Sequence, residues 1–244
     1  MFVDDRDTGI GIPLIKDCQF DPFETVLLKS LLRQGMKVLD IGANIGFFTL
    51  IAAKCVGGQG HVYAYEPQRY NYRLLNLNLA VNRCANVTPQ NKAVSDSCGK
   101  IRLYEDTVNY GAHSIADGNL IGHGGSKFVD AVTLDTIAAS IPGTDFDLIK
   151  LDTQGAEGLI IRGGEKTLTQ TNPKMIIEFW PWGLRNLGTD PAWLLQRLRE
   201  LGYRIKVIDE QDQTLKERGF AEIIDYCDSH ANGWGFYNLF LEKP

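Results

Sequence analysis

The chain is poor in the features that mark several protein classes. Its five cysteines, Cys18, Cys55, Cys84, Cys98 and Cys227, are scattered and form no CxxC pair, which argues against a disulfide framework and against a cysteine-rich zinc site. No apolar run approaches the ~20 residues that cross a bilayer. The first residues carry Asp4, Asp5, Arg6 and Asp7 instead of the basic-then-apolar order of a secretion signal. Basic residues never gather into a cluster, and 25 of them face 30 acids for a formal charge of -5. A nucleic-acid surface needs a basic stripe. The expectation is a single domain over residues 1–244, cytoplasmic, with neither a membrane nor a nucleic acid as partner.

What is present is alternation. Short apolar runs follow one another with helical patterns between them, as in an α/β domain whose mostly parallel sheet has helices on both faces. Residues 37–40 read as the first strand, followed by a glycine-containing turn (41–46) and a helix from Phe47 to about Cys55, stopped by Gly57 and Gly58. Residues 61–66 form a second strand, and Pro67 is suited to open the next helix. A third strand is expected within 87–94, awkwardly placed around Pro89. The runs 147–152 (DLIKLD) and 174–179 (KMIIEF) are apolar stretches ending near a carboxylate, as buried central strands do where they reach a site. Asp190 and Pro191 cap and open a helix through Leu194, Leu195, Leu198 and Leu201, and the last strands fall at 203–208 and 237–241. Residues 1–35, with a helix at 25–32, are expected as a cap over the strand ends. Residues 105–127, rich in glycine, are expected as a mobile loop on the substrate side.

Parallel sheets of this kind bind ligands beyond the carboxyl ends of their strands, so the first turn carries the first clue. It reads DIGANIG from Asp40 to Gly46. Gly42 permits the tight turn and Gly46 lets the helix begin close to a ligand. A dinucleotide fingerprint would place glycines where Asn44 and Phe47 stand. Asp40 would also repel a pyrophosphate resting on this turn. A carboxylate there suits S-adenosylmethionine, which carries a sulfonium and an ammonium and no phosphate. Glu66, at the end of the second strand, is placed to accept from both ribose hydroxyls.

The same residues resemble a known family, the FkbM-type methyltransferases. The matching text is VLDIGANIGFFT (38–49), AYEP (64–67) with Asn71 and Leu74 to Asn76, AVSD (93–96), TLD (133–135), IKLDTQGAE (149–157), Gly163 with Gly164, and IIE (176–178). The resemblance covers roughly residues 20–205. It implies a Rossmann-like class I methyltransferase fold with a seven-stranded sheet, S-adenosylmethionine as cofactor, and O-methylation of a hydroxyl on a sugar, glycan or secondary metabolite by direct in-line transfer. Gln154 departs from the family, which usually has an acid there. Ala93 and Val94 are the residues that the resemblance sets against the adenine.

Asp40, Gly42, Asn44 and Gly46 would then line the amino-acid end of the cofactor, and Glu66 its ribose. Asp152, at the end of an apolar strand, would orient the ammonium or the acceptor hydroxyl. Among the histidines, His61 and His230 read as structural, while His113 in the glycine-rich stretch is the candidate base. Asp152 and Glu178 end adjacent strands, but no third ligand accompanies them, so a metal-independent site is expected. Trp180 and Trp182 offer aromatic surface to a small-molecule or glycan acceptor. Two alternatives stay open: a small-molecule N-methyltransferase, and a silent domain that binds S-adenosylmethionine as a sensor. An enzyme for nucleic-acid amines would carry an Asn/Asp-Pro-Pro-aromatic stretch where DTQG (152–155) stands.

Overall fold

Strands covered by helices on both sides must be apolar on both faces. The computed structural model, which describes residues 1–141, 143 and 145–244, has such strands at its centre. Helices α1 (Gly11–Asp17) and α2 (Pro22–Leu31) precede β1 (Lys37–Ile41), α3 (Phe47–Val56), β2 (His61–Tyr65), α4 (Arg69–Val81) and β3 (Val87–Gln90). β4 (Ala93–Val94), β5 (Gly99–Asp106) and β6 (His123–Val132) follow, and α5 (Leu134–Ser140) leads back to β7 (Leu148–Leu151). The remainder comprises α6 (Glu157–Arg162), α7 (Glu165–Gln170), β8 (Lys174–Phe179), α8 (Pro181–Asn186), α9 (Pro191–Glu200), β9 (Arg204–Asp209), β10 (Thr214–Lys216), α10 (Phe220–Ser229) and β11 (Tyr237–Glu242). No helix among the described residues is long and apolar enough to cross a membrane.

The main sheet has the order β10-β9-β11-β8-β7-β1-β2-β3. The strands from β8 to β3 are parallel, and β11 runs antiparallel to both β8 and β9. It has eight strands where seven were expected, because the chain turns back after β9 and adds β10 at the edge. The third strand expected within 87–94 is two strands. β3 takes the opposite edge of the sheet, a position that tolerates Pro89, and β4 departs into a small sheet of order β4-β6-β5.

Residues 105–127 are likewise no loop throughout. β5 runs to Asp106 and β6 begins at His123. Between them the chain is tied down by Asp106, whose carboxylate accepts from the backbone N–H of Val108, Asn109, Ile121 and Gly122 at 2.7, 3.0, 2.6 and 3.0 Å. Asp7 fastens the N-terminal segment to the same stretch, accepting from the N–H of Gly9, Gly11 and Tyr110. Side-chain acceptors replace the ladder bonds that glycine-rich backbone forgoes.

Alternation along the central strands sorts the core into two layers. Leu39, Ile41, Ile149, Leu151, Ile177 and Phe179 belong to one cluster, with Ile160 and Ile161 of α6 and Leu194, Leu195 and Leu198 of α9. Val38, Leu148 and Ile176 pack with Leu27 and Leu28 of α2 and Phe48 and Ala52 of α3. Each buried Val, Leu, Ile or Phe among them is worth roughly 1.5–3 kcal/mol. The second layer is interrupted by charge near the carboxyl ends of its strands, where Asp40 of β1 stands in register with Lys150 of β7. Helix α2 begins at Pro22, three residues before the stretch expected, because the carboxylate of Glu210 accepts from Phe23 N and Glu24 N at 2.9 and 2.8 Å and steadies its first turn.

Candidate active site

The strand order reverses between β1 and β7, so the chain leaves these neighbours in opposite directions and opens a crevice at their carboxyl ends. A cavity of about 350 Å³ lies there, within the size range of small-molecule sites. Asp40, Gly42, Asn44, Glu66, Ala93, Val94, His113 and Asp152 all line it. Gly46 does not. Its φ of 93° is a left-handed turn, and a Cβ there would come within 2.6 Å of Leu75, so this glycine serves the packing of α4.

Gly42 is required by proximity. With φ at 84°, a Cβ would stand 1.8 Å from the carbonyl oxygen of Asp152, which brings the loops after β1 and β7 into direct contact. Asn44 also adopts a left-handed φ, 50°, a conformation asparagine accepts more readily than most residues. Its N–H donates to Glu66 Oε2 at 2.8 Å, and Gln68 N donates to Glu66 Oε1 at 2.7 Å. Burial pushes the Glu66 carboxyl up to about 7, against the pull of these two amides. Asp40 is buried too, and burial raises it, while Lys150 and a 2.5 Å hydrogen bond from Thr49 Oγ1 pull it down.

Three side chains gather at the ends of β7 and β8. Gln154 Nε2 reaches Asp152 Oδ1 at 3.2 Å and both oxygens of Glu178 at 3.1 Å. Burial, then the charges of Asp152 and Glu157, drive the Glu178 carboxyl well above its ordinary range. Glu157 lies outside the cavity lining and accepts from Thr153 N and Oγ1 at 2.8 Å, holding the loop that carries Gln154. His113 lines the cavity, yet its Nδ1 accepts from Asp106 N at 2.9 Å. The neutral ring therefore carries its proton on Nε2 and is a donor, and burial lowers its pKa further. This arrangement opposes the role of base expected for it.

Several residues at the site were given no role by the sequence. Lys150 stands behind the wall with Nζ 3.0 Å from Asp152 Oδ2; the signal for it was a cation inside an otherwise apolar strand. Asn71 reaches Tyr110 O at 2.7 Å. Trp234, Phe236 and Asn238 come from the far end of the chain, and only the antiparallel insertion of β11 beside β8 brings them to the cavity. Trp180 and Trp234 meet at 5.3 Å between ring centroids, and Trp182 stacks on Trp234 at 5.7 Å.

The residues present fit S-adenosylmethionine. Asn44 Oδ1 and Asn71 Oδ1 are buried acceptors on the cavity wall without a hydrogen-bond partner among the described residues, and such atoms call for donors of the kind an ammonium or a ribose hydroxyl supplies. Acids in the lining outnumber cations, as a positively charged ligand requires.

Comparison with known proteins agrees with this geometry. A curated methyltransferase, sdnD of Sordaria araneosa, is 27% identical over 180 residues, covering 61% of this chain and 68% of that protein. Among solved structures, a methyltransferase FkbM from Methylobacillus flagellatus KT superposes with a TM-score of 0.50 at 15% identity, covering 90% of this chain and 51% of that one. A Streptococcus mutans protein solved in complex with SAH gives 0.52 at 11% identity, over 91% of this chain and 96% of that one. These structures share the fold. The model of the methyltransferase FkbM domain matches residues 40–205, from the acid of the first turn to the start of β9, and the chain belongs to this FkbM family of S-adenosylmethionine-dependent methyltransferases.

Proposed function

We propose that the protein methylates a hydroxyl group on a sugar, glycan or secondary metabolite by direct in-line transfer. The observation that carries this reading is the Asp152–Gln154–Glu178 cluster, which sets two carboxyls held apart by one amide in the same cavity as Trp180 and Trp234. A hydroxyl is a weak nucleophile and needs a nearby acceptor for its proton. Burial raises the proton affinity of Glu178, which makes its ionised form the stronger base. When bound, S-adenosylmethionine supplies the methyl group.

On this reading Asp40, Gly42 and Asn44 hold the amino-acid end of the cofactor, Glu66 its ribose, and Ala93 and Val94 border its base. Asp152 and Glu178 accept hydrogen bonds from the acceptor hydroxyl and orient its oxygen, and one carboxylate of the pair takes its proton as the oxygen–carbon bond forms and the methyl carbon–sulfur bond breaks. His113 binds as a donor. The indoles of Trp180 and Trp234 cover a ring of the acceptor and exclude water. Five cysteines without disulfide partners support action in the cytoplasm.

The test is a screen with methyl-labelled S-adenosylmethionine against methyl glycosides, oligosaccharides and hydroxylated metabolites, run beside a panel of small amines. Label in ether linkage on a hydroxyl acceptor supports the reading, and label on amines alone overturns it.

A further inference from the structure

We propose that Lys150 is a positioning residue of the methyl-transfer site and that Glu24 completes it, so that the N-terminal helix α2 is part of the active site. Helix α2 lies outside the stretch matched by the family, residues 40–205. Lys150 sits on β7 facing this helix, on the side of the sheet where Leu148 packs against Leu27 and Leu28. Its Nζ lies 3.0 Å from Asp152 Oδ2, 3.5 Å from Glu24 Oε1 and 4.5 Å from the centre of the Phe48 ring. The side chains of Lys150 and Glu24 are 6% and 1% exposed, so neither charge is met by solvent.

Glu24 makes no hydrogen bond to other described residues through either carboxylate oxygen, which leaves Lys150 as the cation it answers. Asp152 lines the cavity, whereas Lys150 and Glu24 lie outside its lining, so the ammonium ties a carboxylate of the cavity wall to one of α2. Five acids act on this one cation: Asp21 at the N-cap of α2, Glu24 from α2, Asp40 from β1, Asp152 after β7, and Glu178 from β8. Burial works against the charge of Lys150, but Asp152, Glu24 and Asp40 outweigh it and hold the ammonium protonated far above the ordinary lysine range. Burial in turn pushes Glu24 up to about 7 and Asp21 to about 6, with Lys150 restraining both.

A fixed cation behind the wall settles how many protons the surrounding carboxyls carry before a cationic ligand arrives. Without it they would hold protons that the ligand must displace. Calorimetry of S-adenosylmethionine binding, in buffers of different ionisation enthalpy, counts those protons. Near neutral pH, Lys150→Met should release about one more proton per ligand than the wild type, and its affinity should fall about tenfold more steeply per pH unit on acidification. Lys150→Arg should restore the wild-type count. A lysine that served packing alone would lower the melting temperature and leave the proton count unchanged, and that result overturns the proposal. Should Lys150→Met fail to fold, Glu24→Gln decides the matter. It should release fewer protons than the wild type, and an equal number rejects the place given to α2. The readout is cofactor binding, so it stands whether the acceptor proves to be a hydroxyl or an amine.

Discussion

Gln154 donates to both carboxylate oxygens of Glu178 at 3.1 Å, and it does so from a backbone held at φ 56°. Its own carbonyl accepts from Ser114 Oγ at 2.9 Å and Asn119 Nδ2 at 2.8 Å, so the loop after β5 fixes where the amide points. Gly155 follows at φ 103°, where a Cβ would meet the carbonyl of Gly183. The backbone therefore has little freedom to move the amide away.

Gln154→Glu would place a third carboxyl beside Asp152 and Glu178. The substitution should cost on the order of 1–3 kcal/mol at about pH 8, and distinctly less at about pH 5, where the carboxyls take up protons. Urea unfolding at the two pH values measures this difference. Equal losses at both would mean that the amide does not separate the two acids.

Glu66→Ala removes the acceptor of two backbone amides, Asn44 N and Gln68 N, and with it the group proposed for the ribose. Affinity for S-adenosylmethionine and for SAH should fall together, by roughly 10- to 100-fold at a loss of about 1.4–2.8 kcal/mol, because the two ligands share the ribose. Titration calorimetry with each ligand checks this. A loss confined to S-adenosylmethionine would move Glu66 to the methyl end of the site.

Much of this site was legible in the sequence for a physical reason. A parallel strand delivers its last residue to the binding crevice whatever the rest of the chain does. Asp40, Glu66 and Asp152 could therefore be located by finding where apolar runs end, and the turn at Gly42 followed from the same logic. The residues that escaped depend on long-range placement. Trp234 and Asn238 reach the cavity only because β11 inserts between β8 and β9, a pairing that local periodicity does not encode. The stretch 105–127 reads as mobile by its glycines, but the Asp106 carboxylate accepts four hydrogen bonds that composition hides. His113 was visible as a titratable group in the right region; the partner of its Nδ1, which decides its tautomer, was not.

That partner makes His113 a source of pH dependence. Burial holds its pKa below the ordinary value of 6.5 in the folded protein, so below that pH the unfolded chain binds a proton that the folded ring refuses. Its contribution to stability is therefore present above about pH 6.5 and is lost as the pH falls. Glu66 acts in the opposite direction, since a carboxyl raised to about 7 loses stabilisation as the pH rises through that value. The comparison must be between proteins at each pH. His113→Asn keeps an acceptor for Asp106 N without a titrating ring. The stability gap between wild type and His113→Asn should shift in favour of the variant on acidification from about pH 6.5 to 5, as read by urea midpoints. A gap that stays constant over this range would show that the ring is not excluded from protonation.

Trp234 lies beyond the residues matched by the family, between Trp180 and Trp182 in space. Trp180 and Trp234 line the cavity; Trp180 is 5% exposed and Trp182 is 39% exposed, so the stack runs from the cavity wall out to the protein surface. Ring pairs of this kind are worth about 0.5–1.5 kcal/mol each beyond the area they bury. Trp234→Ala should therefore lower stability modestly while leaving the acid cluster and the cofactor residues in place. If the stack covers the acceptor, KM for the acceptor should rise about tenfold, matching a loss of about 1.4 kcal/mol of binding, with kcat changed little and S-adenosylmethionine affinity as in the wild type. The measurement is steady-state kinetics on whichever hydroxyl compound the labelling screen identifies. A fall in kcat with KM unchanged would assign Trp234 to the alignment of the reacting groups instead, because uniform binding of substrate and transition state leaves kcat untouched.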